Sequence, residues 1–366
     1  MSKALIFSDL HIHSHKDRVD RLEDCIKVLD WIFEQAFENE CQYIFFLGDL
    51  FHERSKIDVR NYLKTFDVFK KNLIDKKNNL KVYLLVGNHD MYHRERWDIN
   101  SVKPLGAIPQ VTVVEYPQQT LIDDVKIDWM PYTENPINDL KELKEKNSGP
   151  GDILFGHMSV HGALLNLCYE TKSDVFVEHD NDMVPVDASV FSDWDMVFLG
   201  HYHGPQNINK KIEYVGSPLE LSFGESFQEK HIIILDLKTL KKKYVKNNFS
   251  PKHLIVTPKD LKDENYDLEG NFIRLVSNGL SSREIIDIKK ETEDNNKILS
   301  FDIKQNKTKT QEDSNNIENA KSILINTEGM LENYIRKKGV PKDLDLEKLL
   351  SIGKKCLSNE SDGDNA

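Results

Sequence analysis

Five short motifs carry side chains that could bind metal and break a bond: Asp9 with His11, Gly48-Asp49, Gly87-Asn88-His89-Asp90, Gly156-His157 and Gly200-His201-Tyr202-His203. Their imidazoles, carboxylates and amide oxygen make a mixed nitrogen and oxygen donor set suited to Mn, Fe, Zn or a similar divalent ion. Asp9, His11, Asp49, Asn88, His157, His201 and His203 are seven candidate ligands, more than one ion commonly takes. If Asp49 bridges, two ions can share it at the roughly 3.5–4 Å separation of two-metal hydrolases, where they hold a phosphate and deprotonate a water for in-line attack. A lone Asp-x-His at a strand end is more often a hydrogen-bonded pair than a metal grip. Five motifs in this order outweigh that reading.

Each motif follows a short apolar run: Ala4 to Phe7, Tyr43 to Leu47, Val82 to Val86, Ile153 to Phe155 and Met196 to Leu199. Runs this short and continuous suit strands buried on both faces. Between them, Arg18 to Glu40 and Asn61 to Ile74 repeat apolar residues at helical spacing (Leu22, Ile26, Leu29, Ile32, Phe33; Leu63, Phe66, Phe69, Leu73). The alternation predicts a layered α/β fold with every motif at the carboxyl end of a strand, where loops converge on one crevice. The preceding glycines are expected to permit the sharp turns. Asp9 and His11, like His201 and His203, are two apart and are expected to point the same way from extended chain.

The chain of 366 residues, 39% of them hydrophobic, can fill a sizeable core. It has no secretory pattern at its start and no apolar run near the roughly 18–20 residues of a membrane span, so a soluble cytoplasmic protein is expected. Cys25, Cys41, Cys168 and Cys356 are scattered, which suggests neither a zinc knuckle nor a disulfide framework. A net charge of -12 argues against coating nucleic acid by charge alone. Contacts to nucleic acid would be local, at Lys210, Lys211 and the run Lys238 to Lys246, although such runs are more often solvated faces.

The five motifs resemble those of the calcineurin-like metallophosphoesterases, whose pattern is matched in full from Asp9 to His203. The resemblance implies a β-sandwich flanked by helices. It also implies one ion held by Asp9, His11, Asp49 and His203, and a second by Asp49, Asn88, His157 and His201. His89 becomes the non-ligand histidine that stabilises or protonates the leaving oxygen, with Asp90 steadying its ring. A general acid directly beside a ligand is within reach of the scissile phosphate.

The stretches Gly48-Asp49-Leu50-Phe51-His52, Trp129-Met130-Pro131-Tyr132, Tyr214-Val215-Gly216-Ser217-Pro218 and Ser222-Phe223-Gly224-Glu225 are similar to SbcD-type DNA double-strand-break repair nucleases. That group includes the shorter recombination subunits of large phages. The similarity implies an Mn-dependent 3′ to 5′ exonuclease and single-strand endonuclease. Its partners would be DNA, an SbcC-like coiled-coil ATPase and a second copy of the chain, in the cytoplasm, or the host cytoplasm if phage-encoded. His52 would lie on the substrate side of the metals without being a ligand. The competing readings are a metallophosphatase or small-nucleotide phosphodiesterase of the same superfamily, and a scaffold with a vestigial site, against which the intact ligand set argues. Where the group often has Gly two residues after the first-motif histidine, this chain has His13, then His15, both read as surface residues.

The domains are expected at 1–249 (nuclease), 250–305 (a small α+β cap that guides DNA), 306–316 (linker), 317–357 (two helices that dock on the ATPase) and 358–366 (an acidic disordered tail). Within the cap, strand candidates at His253 to Val256, Phe272 to Val276 and Leu299 to Ile303 surround a helix at Ser282 to Lys290. Gly339 and Pro341 separate the two docking helices.

Overall fold

A computed structural model describes residues 2–14, 19–164, 185–263, 267–277 and 280–305. His15, Cys168, His179, Cys356, the linker, the docking helices and the acidic tail lie outside the described residues. The described residues up to Val276, with Ile285–Ile303, belong to one compact unit.

Two six-stranded sheets form the centre. The first runs β14 (Lys242–Lys246), β13 (His231–Asp236), β1 (Lys3–Phe7), β2 (Tyr43–Phe46), β3 (Lys81–Leu85), β6 (Val111–Val114), with β1, β2, β3 and β6 mutually parallel and β13 antiparallel to β1. The second runs β11 (Gln206–Asn207), β12 (Ile212–Tyr214), β10 (Met196–Gly200), β9 (Ile153–His157), β8 (Val125–Met130), β7 (Gln118–Ile122), with β12, β10, β9 and β8 parallel. A hairpin of β4 (Met91–His93) and β5 (Arg96–Asn100) follows the third motif. A separate three-stranded sheet of β15 (His253–Val256), β16 (Phe272–Ser277) and β17 (Ser300–Gln305) accompanies a helix at Ser282–Asn295.

Strand periodicity explains the uninterrupted apolar runs, because alternate residues enter different cores. Ala4 and Ile6 of β1 face the space between the sheets with Phe45, Trp129, Phe155 and Phe198. Leu5 and Phe7 face a helical layer with Leu22, Leu29, Ile32 and Phe46. Trp129 anchors the inner core, stacked 5.2 Å from Tyr83 at 7° and 5.1 Å from Phe155, its indole N–H donating to Thr120 at 2.7 Å. The helical layer is supplied by α1 (Val19–Glu38) and α2 (Val59–Phe69), the latter capped by Asp58 and continued as a π-helical turn over Lys70–Asp75. This is the layered α/β fold that the alternation predicts and the sandwich flanked by helices that the resemblance implies.

The run Lys238 to Lys246 becomes a turn and an edge strand rather than a basic patch. Lys242 pairs with Glu213, Lys246 with Glu229, and Lys243 donates to Asn39. Lysine on an edge strand guards it against pairing with another chain. Lys211 is equally committed, its ammonium donating to the carbonyls of Ser192 and Trp194 at 2.9 Å each. Among the described residues, no helix is long and apolar enough to cross a membrane.

Candidate metal centre

The loops after β1, β2 and β10 turn through the left-handed region at the functional residues themselves: φ is +52° at Asp9, +47° at His11, +62° at Asp49 and +98° at His201. Side chains other than glycine pay for this conformation and keep it only where the surroundings hold it. These side chains therefore reach the centre not by strand alternation, as their spacing suggests, but from backbone that reverses locally at Asp9, His11 and His201. Main-chain bonds from Asp9 to Gly48 (3.0 Å), His11 to Asp49 (3.0 Å) and Ile12 to Leu50 (2.8 Å) zip the first loop onto the second. Gly48 does supply a left-handed turn, at φ +101°. Gly87 has no such φ, and a Cβ there would collide with the Asp49 carboxylate, so its role is close approach.

All seven predicted ligands converge. Oδ2 of Asp49 lies 3.5 Å from Nε2 of His11 and 3.5 Å from Nε2 of His157, between two groups. On one side Nε2 of His11 stands 3.1 Å from Nε2 of His203 and 4.0 Å from Oδ1 of Asp9. On the other, Oδ1 of Asn88 stands 2.9 Å from Nε2 of His157 and 3.3 Å from Nδ1 of His201. The backbone N–H of His201 donates to both carboxylate oxygens of Asp9 at 3.1 Å, tying the second sheet to the first.

The donor chemistry fits divalent ions. Nδ1 of His157 donates to the carbonyl of Leu47 at 2.7 Å and Nδ1 of His203 to Glu225 at 3.0 Å, which aims both Nε2 atoms into the centre as lone pairs. Nε2 of His201 is buried with no hydrogen-bond partner. Two carboxylates, Asp9 and Asp49, are buried beside these nitrogens. Burial, helped by the Asp49 charge, pushes the Asp9 carboxyl up, whereas His157 and His11 hold Asp49 well below its ordinary value despite burial. Burial opposes a charge on His157, yet Asp49 and Asp9 raise it to about 9. The site therefore demands positive charge at that nitrogen, and a proton and a metal ion compete for the same lone pair.

His89 is half-buried beside this centre, its backbone N–H donating to Oδ1 of Asp49 at 2.8 Å. Its ring is steadied by the backbone carbonyl of His52, which accepts from Nδ1 at 2.7 Å, and not by Asp90. The Asp90 carboxylate instead accepts from the N–H groups of Asp49 (2.8 Å), Leu50 (3.0 Å) and Gly87 (3.0 Å) and from the Ser101 hydroxyl (3.3 Å). Asp90 thus braces the loop that carries Asp49. Burial and the Asp49 charge raise it to about 7, against the pull of those amides. His13, read from sequence as a surface residue, is half-buried, bonded through Nδ1 to the His11 carbonyl at 2.6 Å and packed 4.7 Å from the His52 ring. His52 in turn lies 5.6 Å from the His89 ring at 22°.

Two further groups went unassigned in the sequence. Glu225, the last residue of the Ser222-Phe223-Gly224-Glu225 stretch, is buried and holds His203 with one oxygen. Its other oxygen accepts from Lys230 (2.7 Å), Leu221 N–H (3.1 Å) and Ser217 (3.2 Å). Arg54, in the loop after the second motif, reaches the Asn88 amide.

The calcineurin-like phosphoesterase pattern matches residues 2–205. The SbcD component of the SbcCD nuclease from Staphylococcus saprophyticus is 24% identical over 265 residues, which cover 65% of this chain and 66% of that one. A phosphoesterase, 078R, of Invertebrate iridescent virus 3 is 25% identical over 199 residues, 52% of this chain and 51% of that one. The chain thus spans just under two thirds of the first relative and about half of the second. Among solved structures, a dimetal phosphatase from Danio rerio is 11% identical and covers 67% of this chain and 98% of its own, with a TM-score of 0.37. The Pseudomonas putida nuclease MPE is 16% identical over 57% of this chain and 66% of its own, with a TM-score of 0.26. At such scores these two carry no weight for function.

Proposed function

The chain belongs to the calcineurin-like phosphoesterase family, and from that premise we propose that it is an Mn-dependent DNA nuclease subunit, a 3′ to 5′ exonuclease and single-strand endonuclease with a two-metal site. The observation that carries the metal reading is Oδ2 of Asp49, equidistant from His11 and His157 with the other ligands grouped on either side. Asp9, His11, Asp49 and His203 would hold one ion, and Asp49, Asn88, His157 and His201 the other. When bound, such ions neutralise phosphoryl oxygens and lower the pKa of a water. The protein supplies the rest. Asp49 is fixed by the Asp90 brace and by His89 N–H. His89, oriented by the His52 carbonyl, donates a proton from Nε2 to the leaving oxygen when its ring is charged. His52 stands on the substrate side of it.

The choice of DNA is supported by the 24% identity to a nuclease component and by the stretches around Asp49, Trp129 and Gly216 to Glu225. On the same basis, residues 1–249 act as the nuclease domain, 250–305 as a cap that guides DNA, 306–316 as a linker and 317–357 as the docking segment for an SbcC-like ATPase. The assembly is a homodimer working in the cytoplasm on double-strand-break processing, recombination or replication. Incubation with Mn2+ and labelled duplex or single-stranded DNA tests the activity. Hydrolysis of p-nitrophenyl phosphate with DNA left intact would replace the nuclease by a metallophosphatase. Deletion after Lys304 should abolish ATPase binding and spare nuclease activity, and retained complex formation would remove the docking assignment.

A further inference from the structure

A cavity of about 420 Å³, within the range of small-molecule pockets, lies beside the metal centre. Two of its wall residues, Gly204 and Ser226, directly follow His203 and the Glu225 that holds it. Leu164, Pro205 and the Phe227 ring make the rest mostly apolar. Gln206 fixes the Leu164 wall, its side chain donating to and accepting from the Leu164 main chain at 2.8 Å each. Phe227 is 52% exposed and sits at φ +66°, a conformation that a bulky side chain keeps only where its surroundings hold it. Two nitrogens of the lining residues, Nε2 of Gln228 and Nε2 of His231, are buried with no hydrogen-bond partner. Buried polar atoms left open are costly, and a ligand that satisfies them removes that penalty.

These nitrogens specify the ligand. Oε1 of Gln228 accepts at 3.0 Å from the Lys230 ammonium, which can only donate, so the amide is oriented and its Nε2 is a fixed donor. A Cβ on Gly204 would stand 3.4 Å from that nitrogen. Burial lowers His231 below its ordinary value, so the ring is neutral at pH 7 and its Nε2 donates or accepts according to the tautomer. Among the described residues, no lysine or arginine lines the cavity, and the Glu229 carboxylate is paired with Lys246. That disfavours a phosphate and favours an uncharged ring with hydrogen-bonding groups on its edge. We propose that this cavity is a nucleobase-binding pocket, in which the ring packs against Phe227 and its edge hydrogen-bonds with Gln228 and His231. The choice of a nucleobase among such heterocycles rests on the phosphoesterase reading of the adjoining centre, since nucleotides carry a base next to their phosphate. The base can come from a free nucleoside or from a nucleic-acid strand.

The test titrates 2-aminopurine deoxyriboside, a fluorescent nucleoside with no phosphate, into the Mn2+-loaded full chain and into the chain after EDTA, and reads quenching of the base. Saturable quenching is expected in both, because the pocket uses no metal ligand. Phe227→Ala should weaken binding about 5- to 100-fold, the range for loss of a ring on which a base stacks. His231→Phe, which keeps a ring, and Gln228→Glu, which keeps the acceptor for Lys230, should each weaken it about 3- to 10-fold through a lost hydrogen bond. Mn2+ titration by electron paramagnetic resonance should be unchanged in Phe227→Ala and His231→Phe. Absence of quenching overturns the proposal, as does equal quenching in the parent and all three variants. Quenching that EDTA abolishes overturns it too, by placing the nucleoside at the metals. Competition in the EDTA-treated chain, where no strand is cleaved, identifies the source of the base. Displacement by deoxyadenosine but not by an oligonucleotide assigns a free nucleoside; an oligonucleotide that displaces the probe more tightly than deoxyadenosine, and loses that advantage with an abasic terminal nucleotide, assigns the strand. A parent that takes up no Mn2+ yet quenches the probe would sink the metal reading and leave the pocket standing.

Discussion

Nδ1 of His203 lies 3.0 Å from Oε1 of Glu225, and the other oxygen of the same carboxylate lies 2.7 Å from the Lys230 ammonium. Lys230 also donates to the His203 carbonyl and the Ser217 hydroxyl, at 2.9 Å each. One buried ion pair therefore fixes both the ring and the backbone of a candidate metal ligand. Burial pushes the Glu225 carboxyl up, but Lys230 and His203 hold it well below the usual carboxylate range. Glu225→Leu should weaken Mn2+ binding about 10- to 100-fold, as loss of a group that orients a ligand histidine does. Lys230→Met strips the buried Glu225 carboxylate of its ammonium partner, leaving His203, Ser217 and the Leu221 N–H on it, and should cost about 3 kcal/mol in urea unfolding, the low end for breaking a buried pair. The double variant Glu225→Leu with Lys230→Met should recover part of that stability but not the metal affinity. Additive stability losses would show that the two residues are not coupled.

His89→Ala should leave Mn2+ binding intact and lower hydrolysis about 10²- to 10⁴-fold, the range for loss of a general acid. His52→Ala should cost less, because the His89 ring is held by the main-chain carbonyl of His52, which the substitution keeps. Turnover on a fixed DNA substrate at saturating Mn2+ measures both. Equal losses would place the His52 side chain in the reaction alongside His89.

What could be read from the sequence was decided by local pattern. Apolar runs ending in Asp, Asn or His located the strands and the crevice, because strands buried on both faces leave an unbroken run and a sharp polar stop. The left-handed turns at Asp9, His11, Asp49 and His201 left no such trace. A spacing of two looks the same whether the chain is extended or reversed. The adjacency of Asp90 to His89 suggested a contact that the turn prevents, since the chain sends Asp90 inward to the Asp49 loop and His89 outward. Glu225 could be noticed as part of a stretch but not placed, because its partner His203 is 22 residues away across a turn. Arg54 was one charge in a polar loop, and only its distance from Asn88 distinguishes it.

Cys25 and Cys41 should be inert in the native chain. Both are buried, Cys25 completely and Cys41 to 8% exposure. Burial raises the Cys25 thiol and pushes Cys41 up to about 11, in spite of Lys3 and Lys243 nearby. Since the thiolate is the reactive form, iodoacetamide at pH 8 should leave both unmodified, and labelling of Cys41 should rise only as the pH nears 11. Peptide mass spectrometry with and without urea reads this directly. Labelling at pH 8 without urea would show that the layer beneath α1 opens on the timescale of the reaction.

Asp90 should prove structural for the centre rather than chemical. Its two oxygens take three backbone N–H groups from the loops that carry Asp49 and Gly87, and each buried donor left without an acceptor costs about 1–3 kcal/mol. Asp90→Ala removes all three acceptor contacts and should lower unfolding free energy by about 3 kcal/mol or more on that scale. Asp90→Asn keeps one carbonyl oxygen and should lose less. Both should weaken Mn2+ binding, because Asp49 adopts its left-handed backbone only while the loop is pinned. A substitution that acted only on the His89 ring would instead lower turnover with metal affinity and stability unchanged. Urea unfolding, Mn2+ titration and turnover on the same variants separate the two accounts, and normal stability and metal uptake in Asp90→Asn with turnover lost would return Asp90 to the reaction itself.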